Sequence, residues 1–513
     1  MRTLSARVSK LDIAFVCLLG PVVLFYCLPP LRSYQKFWLQ NFDYGIQLNS
    51  LSLLSRFTEP NMTTRGVNAW ADNQDYLQFF LSWLLYLPQA HYWILIVYSL
   101  GIVASGVVSY CCLRASPWLA LGIPLFLWLS PLMVNMNIDV FHTESFATVF
   151  LLGCYFAAKR GNRLVYFVTL VLALICKEDV AVTAGAFTAL AAWRYRTFKL
   201  SRRDFVIGLA LCVSLFVVNQ LVVLPHYKGV TCLWLSNETL TNAYGHASPW
   251  FANLSEKLGS WSWIREQFFS SAALGYLAML LWPALLVPEC VFPWLLVALP
   301  GALINLIGGA YLIEGTYHYD HSTMAAVAIT LCEALPRARH MVPRVAALVS
   351  VLLLMHLVPL EFHKLRQRLP ELASREFWDL EKSPRVTALE KLDKILPRDA
   401  VISADSTSIN YLLESREKVY MFENPFRPAY FGVYGACDGK KTALRNLPDV
   451  DLVLVSPDRE IDPSARQLLS EKFDPHEIGA APKSILFHAF IRRETEYKLR
   501  IEDSLHLLEP ALR

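Results

Sequence analysis

From residue 11 to residue 360 the chain alternates long apolar runs with short polar breaks. Candidate runs lie at 11–30, 92–113, 117–134, 143–158, 163–176, 178–193, 204–224, 268–287, 291–310, 321–335 and 344–361. A spanning helix needs about 20 mostly apolar residues, and several of these runs are shorter than that. Residues 163–193 could form one helix, but Lys177-Glu178-Asp179 would then sit at the bilayer midplane, where ionisable groups are costly. The pattern therefore predicts a break there. The first run ends at Pro29-Pro30 without a small-residue cleavage site, so it reads as a retained helix rather than a signal peptide. Segment 31–91 is too long for a plain connection. Its two apolar-periodic stretches, 44–57 and 76–88, read as helices lying at the membrane surface.

The pattern changes near residue 362. Arg385–Leu396 has the spacing of an amphipathic helix, and Val401-Ile402-Ser403-Ala404 and Leu452-Val453-Leu454-Val455 read as buried strands. The expected fold is an α-helical polytopic membrane protein of about eleven spanning helices. Its membrane domain is expected to cover 1–361, with the outer loop 31–91, and a small soluble α/β domain to cover 362–513.

Composition supports this and adds an orientation. The chain is 55% hydrophobic and 18% charged, against about 25% charged for soluble proteins. A net charge of +4 is too small for a nucleic-acid footprint. Basic residues cluster at Arg2/Arg7/Lys10, at Lys159/Arg160/Arg163, from Arg194 to Arg203, and at Arg337/Arg339/Arg344. If all four clusters face the cytoplasm, the helix parity closes, and Arg114 also falls inside. The segments 31–91, 135–144, 177–179, 225–267, 311–320 and everything after about 362 then share the opposite side. The N-terminus is thus expected in the cytoplasm, and the C-terminal domain outside it. Most of the eleven Cys lie in apolar runs, where Cys acts as a small hydrophobe. Three sequons, at Asn61, Asn237 and Asn253, match the glycosylation pattern, which is common by chance.

Polar residues on that outer side are the candidates for chemistry. Asp43, in Asn41-Phe42-Asp43-Tyr44-Gly45, could act as a base towards an acceptor hydroxyl. It could equally cap the following helix. His142 and Glu144, with Asp139 nearby, could converge on a ligand in a turn; alternatively Glu144 complements a helix N-terminus. In Lys177-Glu178-Asp179, Lys177 could bind a phosphate as a point charge, or simply pair with its neighbouring carboxylates. Tyr317, His318 and His321 could contact a sugar or phosphate, although Tyr317 and Tyr319 also suit an interfacial aromatic belt. His318 and His321 alone are too few for a metal, so a divalent ion is possible but not favoured and no cofactor is assigned. Trp70, Asp72, Asn73 and Asp75 complete the outer polar set.

Phe42-Asp43-Tyr44-Gly45, Phe141-His142-Thr143-Glu144 and Lys177-Glu178-Asp179 resemble, in order and spacing, the bacterial membrane proteins grouped as domain of unknown function 2079. That family typically shows Phe-Asp-x-Gly, Phe-His-Pro-Glu and Lys-Glu-Asp. The resemblance covers roughly 35–360 and has two departures: Thr143 stands where Pro is usual, and Asp72-Asn73-Gln74 stands near the place of a family His. The family in turn resembles the GT-C glycosyltransferase superfamily. The resemblance implies an inner-membrane transferase that moves a sugar from a polyprenyl-phosphate carrier to an envelope glycan, lipid or protein. It makes Asp43 the base, with Glu144 the second catalytic carboxylate. His142, Lys177, Glu178, Asp179, Tyr317, His318 and His321 would contact substrate. Membrane lipids are the expected surroundings. The alternatives are a lipid or polysaccharide transporter, which would show internal repeats, and a non-catalytic scaffold.

Overall fold

A computed structural model describes residues 9–39, 42–64, 67–72, 74–138, 141–224, 226–227, 259–271, 273–277, 288–308, 321–334, 373–412, 419–422, 450–459, 461, 463–481 and 484–512. The expected span 344–361 and the sequons at Asn237 and Asn253 lie outside them, and 268–287 is described only in part. Two compact units form. One comprises Met1–Pro30, Leu95–Val218 and Ser248–Pro370; the other comprises Leu31–Ile94, Asn219–Ala247 and Glu371–Arg513.

The first unit is helical. Among the described residues, Lys10–Gln35, Ala90–Leu113 and Arg202–Val223 are long and apolar enough to cross a membrane. Pro117–Leu129 and Pro131–Ile138 make a further candidate span, bent by 48°. The bend has a local cause: Pro131 lacks an amide hydrogen, and Ser130 before it is extended (φ −62°, ψ 128°). Shorter apolar helices, Arg163–Leu174, Val180–Trp193 and Trp294–Leu306, fall where the hydropathy pattern places spans. The chain breaks between Leu174 and Val180, around the Lys177 turn, as the charge at that point requires.

The basic segments gather at one end of this unit. Gly161, at φ 79°, closes the helix Ser145–Arg160 by donating its amide to the Ala157 and Ala158 carbonyls. Asn162 then caps the next helix by accepting from the Val165 amide. This tight turn carries Lys159, Arg160 and Arg163 on its flanks. Arg160 donates to the Cys111 carbonyl at 3.0 Å, and Arg163 pairs with Asp204 at 2.8 Å. Lys159 pairs with the buried Glu333, which also accepts from the Tyr155 hydroxyl at 2.9 Å. Asp12 pairs with Arg114. These bonds tie residues 12, 111–114, 159–163, 204 and 333 to the same end of the bundle. Arg2, Arg7, Arg337, Arg339 and Arg344, which complete the predicted co-facial set, lie outside the described residues.

The second unit is built on a five-stranded sheet, in the order Val419–Met421, Ile402–Ala404, Leu452–Val455, Ser484–Arg492, Phe473–Ala481. The first three strands are parallel and the last two pairings are antiparallel. Leu452–Val455 sits inside the sheet with all four residues buried, which is why it is uniformly apolar rather than alternating. At the carboxyl end of Ile402–Ala404, the fully buried Asp405 is saturated with donors. It accepts from the Thr407 and Ser408 amides, the Ser456 amide, and the hydroxyls of Ser408 and Ser456, all at 2.8–3.0 Å.

The same unit includes the long loop after the first helix. Within it, Phe42–Ser55 is a helix in which every residue from Tyr44 to Ser55 is buried. A helix lying at a membrane surface would keep a wet face; here the polar side is covered by protein. The Asn49 side-chain oxygen accepts from the Thr64 amide at 3.3 Å, and Gln47 accepts from Gln78. The second stretch forms Leu77–Leu81, continued as a 3₁₀ turn over Ser82–Tyr86. It leaves Phe80, Trp83 and Tyr86 exposed, an aromatic face of the type found at membrane interfaces.

Candidate functional site

At the end of the helical bundle opposite the basic turns, two polar motifs meet. Phe141 is held at φ 60°, a backbone region that non-glycine residues seldom occupy, and its ring is fully buried beside Tyr98. The turn that follows brings His142 Nδ1 to 3.9 Å from Glu144 Oε1. Glu144 occupies the capping position of Ser145–Arg160, yet its side chain makes no capping bond. Its Oε1 accepts instead from Lys177 Nζ at 2.9 Å. Both side chains are nearly inaccessible, at 4% and 6% exposure.

Asp179 repeats this logic one hairpin later. It precedes Val180–Trp193 at the capping position and also makes no capping bond. Its carboxylate faces His321 Nε2 at 3.8 Å. His321 opens the helix His321–Ala334 and is fully buried, while Glu178 is buried beside Asp179 in the turn. Neither acid caps the helix it precedes, and each faces a residue of another motif. Glu144 and Lys177 are 33 positions apart in sequence.

Three further residues complete the cluster. Thr148 Oγ1 donates to the His321 carbonyl at 2.6 Å, and Thr183 and Ser322 hydroxyls lie 3.2 Å apart. None stands out as a motif. A signal existed: Thr148 follows Glu144 by four positions and Thr183 follows Asp179 by four, so each Thr shares its acid's helix face. An ammonium, carboxylates and imidazoles enclosed by apolar helices interact far more strongly than in water. Among the described residues, no group of three or more His, Cys, Asp or Glu side chains is arranged to hold a metal.

Asp43 belongs to the second unit. It lies in the first turn of Phe42–Ser55 and is half-buried. Its neighbour Tyr44 is fully buried, with its hydroxyl 2.9 Å from His91 Nδ1. Asp75 is buried and accepts from Gln78 at 3.0 Å, and Trp70 packs edge-on against Tyr227. Tyr317, His318, Asp139 and Asn73 lie outside the described residues, and nothing is described of the Asp72 side chain.

A family model described as "Predicted membrane protein (DUF2079)" matches residues 33–474. The chain belongs to this family. The match spans Asp43, the two motifs joined by the Glu144–Lys177 pair, and three of the five strands of the C-terminal sheet. No curated protein matches this DUF2079 member. Two solved structures are similar to it at 12% identity, each covering 93% of this chain and 98% of their own. They are ArnT from Cupriavidus metallidurans bound to undecaprenyl phosphate, at a TM-score of 0.48, and the same protein in the apo state, at 0.46.

Proposed function

We propose that this DUF2079 protein is a GT-C-type membrane glycosyltransferase that takes a sugar from a polyprenyl-phosphate donor and passes it to an envelope acceptor. The observation that carries the reading is the buried Glu144–Lys177 pair with His142, Asp179 and His321 around it. Departure of a lipid phosphate from the sugar develops negative charge, and a preorganised cation beside it lowers the barrier. In this reading Lys177 and the imidazoles of His142 and His321 receive the phosphate, with Tyr317 and His318 nearby in the chain. Glu178 and Asp179 fix the turn. Glu144 is catalytic in the sense that it holds the ammonium in place until the phosphate exchanges with it. Asp43 is the base that takes the acceptor proton.

The exchange makes a signed prediction. Undecaprenyl phosphate binding by the purified protein should weaken tenfold or more, about 1.4 kcal/mol, in the Lys177→Met/Glu144→Gln double variant. Glu144→Gln alone frees the cation and should tighten it. Equal binding by wild type and the double variant would remove the donor site from this cluster.

We further infer a multi-pass inner-membrane protein of about eleven spans, cytoplasmic at its basic end, with residues 362–513 as a non-cytoplasmic domain. Reporter fusions after Arg203 and after Arg398 should then report opposite sides of the membrane. The same side for both would refute the orientation.

A further inference from the structure

Outside the buried charge cluster, the helix that carries Asp43 is closely packed in its first turn. Gly45 is two positions beyond that carboxylate. A Cβ at residue 45 would lie 2.7 Å from Asn410 Oδ1 and 2.9 Å from both Ile409 Cγ1 and Cδ1. Real Cβ atoms do not approach other atoms that closely, so the glycine is a notch, and the 405–412 segment of the C-terminal part fills it.

That segment is held on both flanks. On one flank Asp405 gathers five hydrogen bonds from the backbone and hydroxyls of Thr407, Ser408 and Ser456. On the other, the Asn410 amide donates to the Leu39 carbonyl at 3.0 Å, and the Tyr411 hydroxyl donates to the Tyr34 carbonyl at 2.8 Å. Both acceptors lie in the stretch that leads into the Asp43 helix. Burial pushes the Tyr411 phenol well above its usual pKa, so it remains a neutral donor. Its ring stacks 5.3 Å from Phe37, a residue at φ 61°. Ile409 and Asn410 are themselves fully buried. A second clamp lies further along the loop. The Thr63 hydroxyl donates to the Val419 carbonyl at 2.7 Å and accepts from the Val419 amide at 3.2 Å, replacing a strand neighbour at the sheet edge.

We propose that the 405–412 segment is a positioning element for Asp43, with Ile409 and Asn410 setting the rotation and depth of the helix's first turn through Gly45. The proposal rests on the reading of Asp43 as the base. Ile409 and Asn410 touch no reacting atom in it; they act through the helix. It assigns the C-terminal domain a part in the chemistry, because a base must be held within a fraction of an ångström of its target.

The test reads the Asp43 carboxylate directly. Detergent-purified full-length protein is treated with a water-soluble carbodiimide and glycine ethyl ester, and amidation of Asp43 is followed by peptide mass spectrometry. Gly45→Ala pushes the turn off its seat, and Ile409→Ala empties the seat. Each should change the labelling rate by about fivefold or more as the turn loosens. In Gly45→Ala/Ile409→Ala the new methyl enters the space left by Ile409, only the Asn410 side-chain amide still has to shift, and the rate should return part of the way towards wild type. Ile409→Ala is the gentler change and carries the test if Gly45→Ala fails to fold. Wild-type labelling in the single variants, or simple addition of their effects in the pair, overturns the proposal. Labelling does not depend on turnover, so a failure of the base reading and a failure of the positioning role give different results.

Discussion

Lys177→Met should destabilise the protein by about 3–5 kcal/mol, and adding Glu144→Gln should recover most of the loss. The reasoning starts from burial. The Lys177 and Glu144 side chains are 6% and 4% exposed and share a 2.9 Å bond. Glu178 and Asp179 crowd the same turn. Without the ammonium, the Glu144 carboxylate must stay charged in a poor dielectric or take up a proton, and either costs free energy. Met keeps the length and apolar stem of Lys, so the change isolates the charge. Gln at 144 then removes the stranded anion while filling its volume. The check is unfolding in mixed micelles for wild type, the two single variants and the double. A Lys177→Met protein as stable as wild type would mean that the pair is not structurally coupled. A double variant no better than Lys177→Met would shift the cost to Glu178 and Asp179.

Asp43→Asn should leave stability nearly unchanged and lower sugar transfer by about 10²-fold or more. Asp43 is half-buried in the first turn of Phe42–Ser55. A negative charge there is favoured by the helix dipole, but only by about 0.3–1 kcal/mol at an accessible site. Asn has nearly the same shape and is well tolerated at helix starts. Its amide cannot take a proton from an acceptor hydroxyl. The measurement is transfer from polyprenyl-phosphate-linked sugars by purified Asp43→Asn protein whose melting temperature matches wild type. Near-normal transfer would return Asp43 to a helix-stabilising role and leave Glu144 as the carboxylate to test next. Asp43→Ala is a poor substitute, since it removes shape and charge together.

The two variants probe different units of the structure, and the sequence made them visible for different reasons. Lys177 stands out because it interrupts an apolar pattern with a charge, and Asp43 because it follows the first helix in the motif Phe42-Asp43-Tyr44-Gly45. The break at Lys177 was legible because a charged triplet inside an apolar stretch cannot stay at mid-membrane depth. The gathering of Lys159, Arg160 and Arg163 with Arg114 at one end was legible because helix parity and charge bias are one-dimensional properties. The pairing of Glu144 with Lys177 was not legible. The hairpin Ser145–Arg160/Arg163–Leu174 returns the chain to the end where Glu144 lies, but which side chains then bond is set by packing.

What the sequence determined by itself is therefore local. The helix spacing at Ser145–Arg160 and Val180–Trp193, the turn at Gly161-Asn162, and the uniformly apolar strand Leu452–Val455 all follow from periodicity and turn chemistry. Tertiary structure decided three things that periodicity cannot express. It turned Glu144 and Asp179 away from the helix amides they precede and towards Lys177 and His321. It joined the loop after the first helix to residues 371–513 in one compact unit, although more than 250 residues separate them. It also covered the polar side of Phe42–Ser55, with Ile409 and Asn410 in the notch at Gly45. The physical reason is shared by all three: a side chain's hydrophobicity acts through its near neighbours, whereas a buried polar group is satisfied by whichever partner packing brings within about 3 Å.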